Sequence, residues 1–168
     1  MTTTTVDQPR AEVDCTKVQG RRELRFNTLD EALGDAERLV AAPNVRTLGN
    51  YSLGQLLAHL GIAIHSSIDG FPGRAPLFIR LIAGRLKGRF LEKGMRPGFQ
   101  LGKKREGKAF PAGVSPADGL EQFRKAIARC RAEKMTAPHP AFGKLTHEQW
   151  DRMHCHHAAL HLSFCVAD

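Results

Sequence analysis

Cysteine pairs and long apolar segments are both missing from this chain of 168 residues. Its four cysteines form no CxxC pair and follow no secretory signal, which favours reduced thiols in a cytoplasmic protein over a disulfide-stabilised secreted one. No window holds the roughly 18 consecutive apolar residues that a membrane-spanning helix needs. The sequence therefore predicts a cytoplasmic protein with no membrane partner.

Acidic residues are in the minority, since 25 Lys and Arg face 17 Asp and Glu and give a net charge of +8. Such an excess allows attraction to nucleic acid or to other anions, but it says nothing about the fold. The positive residues are spread along the chain and form no long run. A solvated basic face is the favoured interpretation, and nucleic acid is the least favoured partner.

What the chain does contain is a set of four helix-start signals. In each, a Ser or Thr is followed three positions later by an acid or an amide, so that the hydroxyl can accept from a first-turn amide. Apolar residues then recur every three or four positions. The pattern predicts an all-α fold. Its four helices should cover about residues 29–42, 53–68, 116–134 and 147–166.

Three further segments complete the predicted organisation. Residues 1–20 are polar and aperiodic and predict a flexible N-terminal arm, which leaves 21–168 as a single domain. Phe78, Ile82, Leu86 and Phe90 recur at steps of four and predict a fifth, amphipathic helix. Such a helix could bind a membrane or a partner, but packing on its own domain is favoured. Residues 92–114, rich in glycine, predict an irregular loop.

Four of the eight histidines lie within the eleven residues 154–164, HCHHAALHLSF. At about 100° per residue, His157 and His161 fall within the apolar stripe of the last helix, one turn apart, where their imidazoles could converge on one atom. Two neutral imidazoles placed together each need a hydrogen-bond partner or a metal. Ordinary core histidines are the alternative. His154 is borderline and could contact a ligand or substrate or lie on the surface.

A third ligand should come from another helix, and the second helix offers His59. It lies at the edge of that helix's apolar stripe, next to small or polar residues such as Ser66, which leave room beside it. This arrangement suits a half-open site better than a dry core. Ser66 is accordingly a candidate contact for a bound ligand or substrate, whereas His65 should lie on the surface.

The segments TLGNYSLGQLLAHL, PHPAFGKLTHEQW and HHAALHLSF, in this order, resemble a bacterial family of unknown function within the DinB/YfiT-like superfamily. The resemblance implies an antiparallel four-helix bundle with a long crossover, usually as a homodimer. It also implies a divalent metal, most often nickel or zinc, held by His59, His157 and His161. Characterised relatives resemble thiol-dependent transferases and isomerases that use low-molecular-weight thiols.

Two functions remain open at this point. The first is a small metal-dependent enzyme, a transferase, an isomerase or a hydrolase, that acts on a small-molecule substrate or thiol; an inner-face carboxylate that could serve as general base is not evident. The alternative is a bundle protein that binds a metal or small ligand without turnover. Phe78 and Phe90 are candidates for a homodimer interface.

Overall fold

The computed structural model describes residues 12–98 and 103–167. Within these residues the chain is mostly helical, which agrees with the predicted all-α class. The elements are α1 Leu29–Ala41, β1 Val45–Thr47, α2 Leu53–Asp69, α3 Leu77–Lys93, α4 Lys103–Ala109, α5 Pro116–Ala132, α6 His147–Leu162 and β2 Cys165–Ala167. Most of the expected N-terminal arm lies outside the described residues. Its described part is attached to the loop before α2, where Val13 N–H donates to Asn50 Oδ1 at 2.7 Å.

The four helix-start signals lie where the sequence predicts them. Thr28, Ser52, Ser115 and Thr146 each accept a hydrogen bond from the backbone amide three residues further on. At Ser52 and Thr146 the glutamine at the third helical position also binds back to the cap amide. The starts of α1, α2, α5 and α6 are therefore determined locally.

Two glycines allow the backbones of α2 and α5 to touch. A Cβ added to Gly54 would lie 2.1 Å from the carbonyl oxygen of Val114, and one added to Gly119 would lie 2.5 Å from that of Gly54. Next to this contact, large side chains fill the core between α2, α5 and α6. The largest fully buried ones on these helices include Leu57, Ile64, Phe123, Ile127 and Trp150.

The last predicted helix is too long at its C-terminal end. Helix α6 stops at Leu162, and β2 pairs antiparallel with β1, with Val45 opposite Ala167 and Thr47 opposite Cys165. Strands of three residues are too short to show an alternating pattern, so no sequence signal indicated them. Because of this pairing, the C-terminal end of the chain lies beside the segment between α1 and α2.

Helix α4 corrects the prediction of an irregular loop over residues 92–114. Its sequence, KKREGKA, consists mainly of residues that favour helices. The glycines at positions 98, 102 and 113, before and after this short segment, favoured the prediction of a loop. Because α4 ends next to α2, it contributes to the candidate site described below.

The prediction that α3 packs its apolar stripe on its own domain is wrong. Leu91 is the one fully buried residue of this helix, whereas Phe78 and Ile82 are 65% and 58% exposed. Residues four apart drift by about 40° around a helix, so the stripe winds from the inner side at Phe90 to the outer side at Phe78. None of the helices in the described part of the chain is long and apolar enough to cross a membrane.

Candidate metal centre

Three histidines from two helices meet at one point. Helix α6 presents His157 and His161 one turn apart, and α2 presents His59 opposite them. His157 Nε2 lies 3.0 Å from His59 Nε2 and 3.0 Å from His161 Nε2. One ring nitrogen of each residue lies within 4.8 Å of the other two. The structure therefore brings together the three histidines that the sequence singled out.

The orientation of His59 is fixed from behind by the end of α4. Its Nδ1–H donates to the carbonyl oxygen of Ala109 at 3.0 Å, and its ring stacks on Phe110 with centroids 4.0 Å apart. Tyr51 stacks in turn on Phe110, at 3.7 Å. Because a carbonyl can only accept, Nδ1 carries the proton of the neutral ring. The lone pair of His59 is therefore on Nε2, which faces the other two histidines.

Burial keeps all three imidazoles neutral. It lowers the pKa of His59 to about 4, although the hydrogen bond to Ala109 acts in the opposite direction. The pKa values of His157 and His161 lie well below the ordinary value, first because of burial and then because the neighbouring histidines repel a second positive charge. Neutral imidazole is the form that binds metals.

Hydrogen bonds alone do not satisfy this cluster. His157 Nε2 carries either a proton or a lone pair, so it cannot donate to one neighbour and accept from the other. Two nitrogens bound at right angles to one ion, each about 2.1 Å away, lie about 3.0 Å apart. The two 3.0 Å distances to His157, the neutral rings and the carbonyl behind His59 therefore fit a group that could hold a metal ion.

The other candidate contacts lie as follows. His154 is buried at 3% exposure, stacks on Trp150 and is hydrogen-bonded through Nε2 to the hydroxyl of Ser67 at 3.1 Å. Ser66 is half-buried and donates to the carbonyl oxygen of Ile62, one turn earlier in α2. The serine that contacts His154 is therefore Ser67, and not Ser66, which the sequence had indicated as a candidate contact.

Two further histidines hold helices in place. His156 donates from Nε2 to the carbonyl oxygen of Leu91 at 2.9 Å, which fastens the end of α3 to α6. His65, predicted to be a surface residue, is half-buried and lies 3.2 Å from a guanidinium nitrogen of Arg129. Neither belongs to the group of three.

Sequence reasoning missed the residues around the histidines. The hydroxyl of Tyr51 donates to Glu106 in α4, and Arg21 donates to Ser163 at 2.7 Å. The positive charge of Arg21 also contributes to the low pKa of His161, after burial and His59. These contacts join segments that are distant in the chain, so no local pattern could have indicated them.

Comparison with protein families identifies a match that covers most of the chain. The model of a family described as "Protein of unknown function (DUF1569)" matches residues 18–168. No curated protein and no solved structure matches the chain. Because the family description names no activity, the function has to be argued from the site itself.

Proposed function

The chain belongs to this family of proteins of unknown function, DUF1569, and we propose that it binds one divalent metal ion through His59, His157 and His161. The observation that carries the proposal is the convergence of three Nε2 atoms, one of them with its tautomer fixed by the carbonyl of Ala109. Three imidazoles are a nitrogen donor set that suits zinc and nickel, which are the first metals to test.

The proposed centre leaves part of the ion's coordination open. With three protein ligands, a bound ion would keep positions at which it lowers the pKa of a water molecule or binds a thiolate. Phe110, with Tyr51 stacked on it, covers the His59 side of the proposed centre. Arg21, near His161, supplies a positive charge that favours an anionic substrate or thiolate on that side.

Within this proposal, thiol-dependent transfer or isomerisation is favoured over hydrolysis. A hydrolase of this kind needs a group that accepts the proton of the attacking water. Among the described residues, the group of three contains no carboxylate, and Glu106 in α4 is hydrogen-bonded to Tyr51. A low-molecular-weight thiol would bring its own nucleophile, and because thiols ionise much closer to neutral pH than water does, it would release its proton to solvent on binding the metal and depend less on such a base.

A non-catalytic metal- or ligand-binding protein is the second candidate. The same absence of a carboxylate from the three-histidine group favours it, because binding needs only the three imidazoles. The two candidates differ in one observable property. An enzyme turns over a thiol or ester substrate only when the metal is present, whereas a carrier or sensor binds metal and shows no turnover in either state.

We extend the proposal to the type of helical bundle, the location of the protein and its oligomeric state. Four capped helices, with α3 and α4 in the long connection between α2 and α5, support an antiparallel DinB/YfiT-like bundle. The absence of disulfides among the described cysteines supports a cytoplasmic location. A homodimer follows from the family resemblance and is tested by sedimentation of the purified protein.

The direct test is calorimetric titration of chelator-treated protein with Zn²⁺ and with Ni²⁺. We expect one site per chain, at least a hundredfold weaker in each of His59→Ala, His157→Ala and His161→Ala. His65→Ala, on the same helix as His59, serves as the matched control and should bind like wild type. Unchanged affinity in all three site variants would refute the proposal.

A further inference from the structure

Helix α3 presents large apolar side chains to solvent. Leu77, Phe78 and Leu81 are 67%, 65% and 65% exposed, and Ile82 and Leu86 are exposed as well. Four of these five lie in the first two turns of the helix and form a compact apolar end. A contiguous exposed patch of this kind on a folded protein marks a contact with something else.

The helix is fixed with this face outward. The half-buried or buried residues along it are Arg80, Ala83, Lys87, Phe90 and Leu91, which lie on the opposite side. Lys87 Nζ donates to the carbonyl oxygen of Lys144, and Phe90 packs against Phe142 with centroids 5.3 Å apart. The side turned toward the protein thus mixes two basic residues with three apolar ones, and the large apolar residues of the first two turns are left for a partner.

The charge around this face is mainly positive. Residues 70–93 contain six positive side chains, namely Arg74, Arg80, Arg85, Lys87, Arg89 and Lys93, and one acidic side chain, the exposed Glu92. Arg85 and Arg89 are exposed on the outer side of α3, one and two turns beyond Leu81. The apolar end is therefore followed directly by cations on the same face.

A basic cavity lies at the start of the helix. It has a volume of about 250 Å³ and is lined by Arg74 and Arg80 before and within α3, and by His139, Gly143 and Lys144 from the turn after α5. No carboxylate is among the described residues that line it. Its size and charge suit a phosphate group, which the arginines can bind through paired hydrogen bonds.

We propose that α3 binds peripherally to the surface of an anionic lipid bilayer. Leu77, Phe78, Leu81 and Ile82 insert between the acyl chains, while Arg85 and Arg89 contact the headgroups. Arg74, which is exposed just before the helix, contacts a headgroup phosphate as well. The sequence predicted no membrane partner because it contains no spanning segment, but a helix that lies in the interface needs none.

The same charges disfavour a second copy as the occupant. In a symmetric dimer each face meets its own duplicate, so the basic residues of two α3 helices would be brought together with Glu92 as the one acidic side chain that each helix offers on that face. A nucleic acid would pair with the cations but would give the apolar end nothing to bind. An anionic bilayer offers acyl chains to the apolar end of the face and negative headgroups to Arg85 and Arg89.

The test is co-sedimentation of the purified protein with vesicles at low and at high salt. One set contains phosphatidylglycerol and phosphatidylcholine in equal amounts, and the other contains phosphatidylcholine alone. We expect at least tenfold tighter binding to the anionic set, weakened by salt. Phe78→Gln with Leu81→Gln should weaken binding about tenfold or more, and so should Arg85→Gln with Arg89→Gln.

Lys125→Gln with Lys134→Gln removes the same charge from exposed positions of α5 and its C-terminal end and should leave binding unchanged. Several outcomes would overturn the proposal. They are no binding to anionic vesicles, equal losses in the control, or a wild-type dimer that Phe78→Gln with Leu81→Gln converts to monomer, which would assign the face to a second copy. Specific capture of an acidic protein without vesicle binding would overturn it as well.

Discussion

Two histidines outside the group of three, the half-buried His139 and the buried His154, each depend on being neutral. His139 accepts at Nδ1 from the backbone amides of Ala141 and Phe142, so its lone pair is in use. His154, packed against Trp150, is hydrogen-bonded to Ser67, whose hydroxyl donates to the carbonyl of Ile64. Burial lowers the pKa of His139 to about 4 and that of His154 to about 3. Protonation of either ring therefore opposes folding.

These shifts predict loss of stability in mild acid. Between pH 6.5 and about 4 the unfolded chain binds protons that the folded chain excludes, so the free energy of unfolding falls as the pH falls. Each such histidine contributes a slope of about 1.4 kcal/mol per pH unit, or roughly 2 kcal/mol by pH 5. In metal-free protein, His154→Gln should reduce the slope of unfolding free energy against pH by about 1.4 kcal/mol per pH unit. Urea unfolding at several pH values measures this slope. Parallel curves for the two proteins would contradict this account of His154.

A second prediction at the residue scale concerns the ring behind His59. Phe110→Ala removes the stacked surface that orients this histidine but no nitrogen ligand, so metal affinity should fall about tenfold to a hundredfold. Tyr51→Phe keeps its own stacked ring and loses only the hydroxyl bond to Glu106, so it should bind metal nearly as wild type. Competition with a chromophoric chelator measures both. Equal affinity in Phe110→Ala and wild type would show that the ring plays no part.

At the scale of elements, the sequence predicted the features that depend on neighbouring residues and did not predict those that depend on tertiary contacts. The caps at Thr28, Ser52, Ser115 and Thr146 depend on residues three apart, which a sequence displays directly. Helix α4 and the β1–β2 pair are short and gain their stability from tertiary contacts, so no periodicity indicated them. The rotation of α3 was missed because it depends on which of its residues the rest of the chain holds.

The glycines of α2 and α3 allow a matched prediction at this scale. Gly54→Ala would place a methyl group 2.1 Å from a backbone oxygen, so the α2–α5 contact must open, and we expect a loss of about 3 kcal/mol or more. Gly84→Ala lies within helix α3 with no atom near the added Cβ and should stabilise the protein by up to about 1 kcal/mol. Chemical denaturation measures both changes. Similar effects of the two substitutions would contradict the close approach of α2 and α5.

At the scale of the whole molecule, the candidate site joins parts of the chain that lie far apart. His59 and His157 are separated by 98 positions, and the carbonyl of Ala109 belongs to a third segment. Spacing within one helix predicted His157 and His161 as a pair, and the position of His59 beside its apolar stripe predicted the third. The residues behind His59, Ala109 at the end of α4 and Phe110 after it, could not be predicted in this way, because their contacts exist only in the assembled fold.

A bound ion should therefore act on the stability of the molecule as a whole. It would connect α2 to α6 in the folded chain only, so that each tenfold excess of free metal over the dissociation constant adds about 1.4 kcal/mol to the free energy of unfolding. Thermal unfolding at increasing Zn²⁺ concentration should show a rising midpoint for wild type. A midpoint that rises equally in His161→Ala would place the bound metal elsewhere on the protein.

The most direct test of the central claim is the metal content of protein purified without an affinity tag or chelator, measured by elemental analysis. The account predicts close to one divalent ion per chain in wild type and in His65→Ala, and almost none in His157→Ala. Equal metal content in wild type and His157→Ala, or wild type that is empty and gains no thermal stability from added zinc or nickel, would contradict it.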